Sequence, residues 1–260
     1  MTHRQSTYIA SGRERELFSA AWRSGLPVLL KGPTGCGKTR FIQNMAQELD
    51  RPLITVACHE DLTAGDLVGR FLLESSETKW QDGPLTRAVR EGAICYLDEI
   101  VEARADTTVV IHPLADHRRE LNIERLGERL LAPPEFMLVL SYNPGYQSVL
   151  KDLKPSTRQR MVAIELTYPS PEVERRILEI EAGVDAEVAD RLVRLGQAIR
   201  KLDHEGLPEV ASTRALVSTA MLFKSGLSLR EASEASIARA LTDDPIATRQ
   251  LLEMVQAFVA

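Results

Sequence analysis

The most specific chemistry in these 260 residues lies in the run Gly32-Pro33-Thr34-Gly35-Cys36-Gly37-Lys38-Thr39, which satisfies the spacing G-x-x-x-x-G-K-T. Glycines at these places let consecutive backbone N–H groups turn inward at a helix N-terminus, where they cradle the β- and γ-phosphates of a nucleotide. Lys38 adds a compact positive charge, and Thr39 offers its hydroxyl to Mg²⁺. Cys36 fills a variable position of the loop: a small tolerated side chain is the plainer reading, a redox switch the alternative. A second cluster, Ala93-Ile94-Cys95-Tyr96-Leu97-Asp98-Glu99, is an apolar run ending in two acids. Such an ending places carboxylates at the edge of a sheet where α/β ligands bind. Asp98 can then hold the Mg²⁺ shell while Glu99 polarises water for in-line attack on the γ-phosphate. Downstream, the run Phe136 to Ser141 leads into Tyr142-Asn143-Pro144. Asn143 could orient the attacking water or sense the γ-phosphate, and an Asn-Pro pair equally suits a plain turn.

These residues require a scaffold, and the flanking pattern supplies one. Short apolar runs rich in branched residues, Val28 to Leu30, Leu53 to Ala57, Ile94 to Leu97, Phe136 to Ser141 and Met161 to Leu166, alternate with helical patterns. Strands apolar on both faces predict a five-stranded parallel sheet covered by helices on both sides. The phosphate loop falls between the first of these strands and the helical run Phe41, Ile42, Met45, Leu49, which is the context that motif needs. Upstream, Ser11 to Trp22 reads as a helix with Ser11 as N-cap and Glu14 completing a capping box. After Tyr168-Pro169-Ser170-Pro171 the strand pattern stops. Apolar residues then recur at three-to-four spacing through Glu172 to Glu181, Ala186 to Lys201, Ser212 to Lys224 and Ser228 to Ala240. The expected organisation is an α/β nucleotide-binding domain over 1–168 and a small all-helical lid over 169–260.

Composition excludes several classes. Cys36, Cys58 and Cys95 are an odd number, far apart and without a C-x-x-C pair, which argues against a disulfide framework or a zinc site and for a reducing cytoplasm. His112 and His117 lack the carboxylate or cysteine partners of a metal site, and His3, His59 and His204 are isolated. The charged first thirty residues lack the apolar core of an export signal, and no stretch approaches the length of a membrane span. A formal charge of -5 gives no global basic field, so nucleic acid is a weaker candidate partner than protein.

Taken together, the chain resembles an AAA+ ATPase, a P-loop NTPase module, with Gly32 to Thr39 as Walker A, Leu97-Asp98-Glu99 as Walker B and Asn143 as sensor 1. More narrowly, Asp66-Leu67-Val68-Gly69-Arg70, Trp80-Gln81-Asp82-Gly83-Pro84-Leu85 and Leu153-Lys154-Pro155-Ser156-Thr157-Arg158-Gln159-Arg160 resemble the MoxR branch and its CbbQ/NorQ group. That resemblance implies a homo-hexameric motor using ATP and Mg²⁺ with a von Willebrand factor A domain adaptor, CbbO-like or NorD-like. Its implied client is inhibited rubisco, the reading preferred on overall likeness, or alternatively nitric oxide reductase, matured by a NorQ-like metal-insertion chaperone. Residue chemistry does not choose between these clients. With little length beyond motor and lid, client recognition is expected to reside in the adaptor.

By the same resemblance Arg158 and Arg160 are arginine-finger candidates, Arg160 aligning better with the usual position, and Arg214, at the start of a lid helix, matches sensor 2. A finger acts on a neighbouring subunit's γ-phosphate; the plain alternative for one of the two arginines is a surface salt bridge. Two insertions resemble the family's pore-facing devices. Phe71 to Trp80, with Leu72, Leu73 and Glu74 and a polar turn at Glu74-Ser75-Ser76-Glu77, resembles the helix-2 insert; Arg119 to Leu131, with Leu121 and Ile123 alternating before a Gly127-Glu128 turn, resembles the pre-sensor-1 hairpin. Either is equally readable as an ordinary surface hairpin. Tyr8 and Ile9 lie where related ATPases build an adenine pocket. Two other functions compete with the remodelling motor: a nucleic-acid motor, and a nucleotide switch that does not hydrolyse.

Overall fold

A computed structural model describes residues 8–74, 77–144, 153–202 and 210–259. The chain runs α1 (Glu14–Arg23), β1 (Val28–Lys31), α2 (Lys38–Glu48), β2 (Leu53–Ala57), α3 (Ala64–Val68), β3 (Gly69–Glu74), β4 (Glu77–Asp82), α4 (Pro84–Glu91) and β5 (Ile94–Asp98). It continues through α5 (Ala105–Val109), β6 (Glu120–Ile123), β7 (Glu128–Leu131), β8 (Met137–Tyr142), α6 (Pro155–Arg158) and β9 (Val162–Glu165). Among the described residues five helices follow: α7 (Pro171–Ala182), α8 (Ala186–Lys201), α9 (Thr213–Lys224), α10 (Leu229–Ser233) and α11 (Pro245–Val259). Two compact units result, one made of residues up to Pro33 with Lys38–Leu166, the other of Thr34–Gly37 with Thr167 onward.

The first unit is built on a five-stranded sheet in the order β2-β5-β8-β1-β9, with every pair parallel. Parallel pairing aligns all five carboxyl ends on one edge, and the β1, β5 and β8 ends there lead into the phosphate loop, the acid pair and Asn143. Side chains alternate across β5. Cys95 and Leu97 join Leu85, Ala88 and Val89 of α4 in one core, while Tyr96 turns to the opposite face, beside Thr39 of α2. On that face Phe41 meets Phe18 of α1 edge-on, with ring centroids 5.6 Å apart.

Two antiparallel hairpins interrupt the helix–strand alternation, β3 with β4 and β6 with β7. The first enters between α3 and α4, and its root leaves no room for a side chain at Gly83, where a Cβ would lie 2.3 Å from the Leu67 carbonyl oxygen. Along β3, Phe71 and Leu73 are exposed, Leu73 at 77%, and Phe71 packs edge-on against Trp80. The expected turn residues Ser75 and Ser76 lie outside the described residues, as do His3 and His204.

Three local expectations need correction. First, α1 begins at Glu14 rather than Ser11, and its N-cap is Arg13, with no capping side chain. The Glu14 carboxylate does accept the Ser11 N–H at 2.8 Å, but it also accepts the Tyr8 hydroxyl at 2.8 Å, and this link to the preceding segment replaces the reciprocal cap. Second, the helix expected through Ala240 stops at Ser233 and passes into a π turn over Glu234–Ala238. The Ser233 and Ser236 hydroxyls bond the carbonyls four residues back, at 2.8 and 2.6 Å, and such back-bonding competes with the regular ladder. Third, α11 is a helix that the sequence reading left out; its Leu251, Val255 and Val259, four residues apart, close the second core.

The second unit carries a buried polar network. Glu174 is fully buried and receives both terminal nitrogens of Arg200, at 2.9 and 2.7 Å, and the Thr213 hydroxyl at 2.5 Å. Arg200 Nε donates to the Ala211 carbonyl at 2.8 Å. Three helices, α7, α8 and α9, are thereby tied through one carboxylate. Removing Glu174 leaves a guanidinium without its partner in an interior that does not solvate it. A Glu174→Ala substitution is expected to cost about 3–5 kcal/mol, visible as a lowered denaturant midpoint at unchanged slope.

Candidate nucleotide site

The phosphate loop links β1 to α2, and its shape depends on two glycines in the left-handed region: Gly35 at φ +69° and Gly37 at φ +103°. A Cβ at Gly35 would come within 2.6 Å of Ser212, so no other residue fits there. Lys38 opens α2 and is buried. Its Nζ donates to the carbonyls of Gly32 and Pro33, at 2.8 and 3.1 Å, and to Asn143 Oδ1. Asn143 Nδ2 in turn lies 3.4 Å from Glu99 Oε1. Loop lysine, sensor-position asparagine and second acid are thus joined through one amide.

Asp98 is half-buried and Glu99 is exposed, although they are neighbours. The reason is backbone conformation: Glu99 adopts φ +56°, a region costly for a residue with a Cβ, and this sharp departure from β5 turns its carboxylate outward. The Ser141 hydroxyl supports the turn by accepting the Glu99 N–H at 3.2 Å while donating to Asp98 Oδ1 at 2.5 Å. Tyr96 donates to the same Asp98 oxygen at 2.6 Å. Burial and the adjacent Asp98 charge push the Tyr96 phenol up, so it remains a neutral donor. Sequence reasoning missed both Tyr96 and Ser141. The available signal was the polar residue closing the apolar β8 run, which register sets beside Asp98 because Leu97 pairs with Leu140.

Mg²⁺ prefers oxygen ligands and retains several waters, so one carboxylate and one hydroxyl beside a phosphate chain make a suitable protein contribution. Thr39 and Asp98 supply that pair, and the Tyr96 hydroxyl, which donates to Asp98, also lies beside Thr39, which places the two oxygen ligands near one another. The donor set therefore fits a hard divalent cation. Cys58 abuts the acids: its N–H bonds the Asp98 carbonyl at 2.9 Å, and burial together with the Asp98 and Glu99 charges pushes its thiol up to about 12. Cys58 is therefore neutral near pH 7. Cys36 is buried in the loop itself.

The arginines sit on other elements. Arg158 closes α6 with its guanidinium 5.8 Å from the centre of the Tyr142 ring, next to Asn143 in the chain. Arg160 turns back onto the Ser156 carbonyl. Between them Thr157 is buried and meets His112 Nε2 at 2.9 Å, which pins the segment. Arg214 lies in the first turn of α9 and is exposed; its Cβ would be 3.3 Å from a Cβ built on Gly35. Tyr8 packs against Phe41 with ring centroids 5.1 Å apart.

Comparison with known proteins adds a family context. Residues 27–161 match the family described as AAA domain (dynein-related subfamily), and residues 174–258 match CbbQ/NirQ/NorQ C-terminal. The chain is 61% identical to the denitrification regulatory protein NirQ of Pseudomonas aeruginosa, over 97% of each chain. It is 56% identical to the protein CbbQ of Hydrogenophilus thermoluteolus, covering 92% of this chain and 89% of that one. Among solved structures, a Thermotoga maritima RuvB mutant superposes with a TM-score of 0.58 at 15% identity, covering 95% of this chain and 70% of that one, a likeness of fold. Among the described residues no helix is long and apolar enough to cross a membrane.

Proposed function

Because the chain belongs to the CbbQ/NirQ/NorQ family of AAA ATPases, we propose that it is the hexameric motor of a remodelling complex, acting with a von Willebrand factor A domain adaptor on a client enzyme. It is an ATPase of the AAA+ class. The observation that carries the reading is the convergence of Lys38, Asn143 and Glu99 through successive contacts at the carboxyl edge of the sheet. In this reading the loop amides and Lys38 bind the phosphates, and Thr39 and Asp98 hold Mg²⁺, which supplies charge neutralisation on the phosphate chain. Glu99 takes the proton of the attacking water, Asn143 orients that water, Arg214 contacts the nucleotide from the lid, and Arg160 completes a neighbour's site.

For the client, the likeness to the denitrification regulatory protein NirQ at 61% supports a denitrification client, nitric oxide reductase being the one the sequence resemblance offers, on a level with the rubisco activation preferred from the sequence alone. Activation of rubisco is the second reading, supported by the CbbQ likeness itself. Co-expression with the adaptor and nitric oxide reductase subunits should yield active reductase with the intact chain and inactive reductase with Lys38→Ala. Failure there, with ATP-dependent recovery of inhibitor-locked rubisco in a parallel assay, would transfer the assignment to the second client.

A further inference from the structure

Tyr168 lies midway along the segment that joins β9 to α7, and its hydroxyl donates to the Thr34 carbonyl at 3.0 Å. Its ring is not left to choose its own orientation. The Arg200 guanidinium lies over the ring, 4.1 Å from its centre, a cation–π contact. That guanidinium is itself fixed at three nitrogens, two on the buried Glu174 carboxylate and one on the Ala211 carbonyl. A rigid chain of contacts therefore runs from the interior of the helical unit to the backbone of the phosphate-loop tip, which packs with that unit.

The bond falls on an informative atom. The carbonyl of Thr34 and the N–H of Gly35 belong to one planar peptide, trans like every peptide bond among the described residues. In a trans peptide those two groups point in opposite directions. Capturing the carbonyl on the Tyr168 side presents the Gly35 N–H on the other, where a phosphate-binding loop needs its donors. Gly35 has no side chain to resist a peptide flip, so an external anchor has something to contribute at this position.

We propose that Tyr168 is a positioning residue of the phosphate loop, setting the Thr34–Gly35 peptide so that the Gly35 N–H is preorganised for a nucleotide phosphate. This rests on the reading of Gly32 to Thr39 as the nucleotide site. Tyr168→Phe keeps the ring and its cation–π contact and deletes only the hydroxyl. Calorimetric titration with ADP should show its dissociation constant rising about fivefold, the yield of one ordinary hydrogen bond. KM for ATP should rise in step, kcat should stay within about twofold, and the thermal midpoint should not move. ADP binding equal to the parent's, or a loss of affinity accompanied by a lowered midpoint, overturns the proposal. Lys38→Ala, titrated alongside, tests the underlying reading separately: ADP binding that survives it refutes the phosphate loop as the site, whatever Tyr168→Phe does.

Discussion

Glu99→Gln is expected to lower ATP turnover by about 10²–10⁴-fold, the range over which a positioned general base contributes, while the protein still binds ATP. Two features make the expectation specific. The Glu99 carboxylate is exposed at the sheet edge and touches Asn143, which also meets Lys38, so it sits where the phosphate chain and a water would be held. Its conformation at φ +56° is held by the Ser141 hydroxyl, and glutamine keeps the shape and the amide contact while losing only basicity. Single-turnover hydrolysis measured beside equilibrium ATP binding separates the two effects. A variant that binds ATP and turns over at the parent rate would remove Glu99 from the mechanism and leave Asp98 as the remaining acid. Asp98 is poorly suited to abstract a proton from water, because one oxygen is already saturated by Tyr96 and Ser141.

Arg160→Ala is expected to lower turnover by about 10³-fold without weakening nucleotide binding by the isolated subunit, as removal of a guanidinium supplied in trans would do. The two candidates that the sequence put side by side have different surroundings. Arg158 is laid over the Tyr142 ring inside its own chain, an arrangement in which it braces the strand end that carries Asn143. Arg160 turns back onto the Ser156 carbonyl of its own turn, a contact with no ring stacked on its guanidinium among the described residues. Arg158→Ala should therefore lower the thermal midpoint more than Arg160→Ala and turnover less. Specific activity plotted against protein concentration is the accompanying measurement: it should rise through assembly for the parent and stay flat for Arg160→Ala. Activity independent of concentration in the parent would sink the trans assignment, and a larger turnover loss in Arg158→Ala would exchange the two roles.

Much of the architecture was legible in the residues. The five central strands appear within about a residue or two of their apolar runs, since a strand buried on both faces announces itself without alternation. The two insertions, one read as a helix-2 insert and one as a pre-sensor-1 hairpin, each form an antiparallel strand pair. What went astray was decided by side chains acting across local boundaries: the Tyr8 hydroxyl at the start of α1, and the serine hydroxyls that open the π turn after α10.

For the site the division is sharper. The loop from Gly32 to Thr39 and the acids Asp98 and Glu99 are visible by themselves, because phosphate binding by backbone amides demands glycines at fixed spacing and a strand edge demands an abrupt change from apolar to charged. Nothing in either segment announces that Tyr96 and Ser141 share the Asp98 carboxylate, or that Tyr168 and Thr34, 134 positions apart, meet through a hydroxyl and a carbonyl. Sequence determined which groups could do the chemistry. Strand register and side-chain contacts determined which of them are oriented, because hydrogen bonds between distant residues exist only after the chain has brought their elements together.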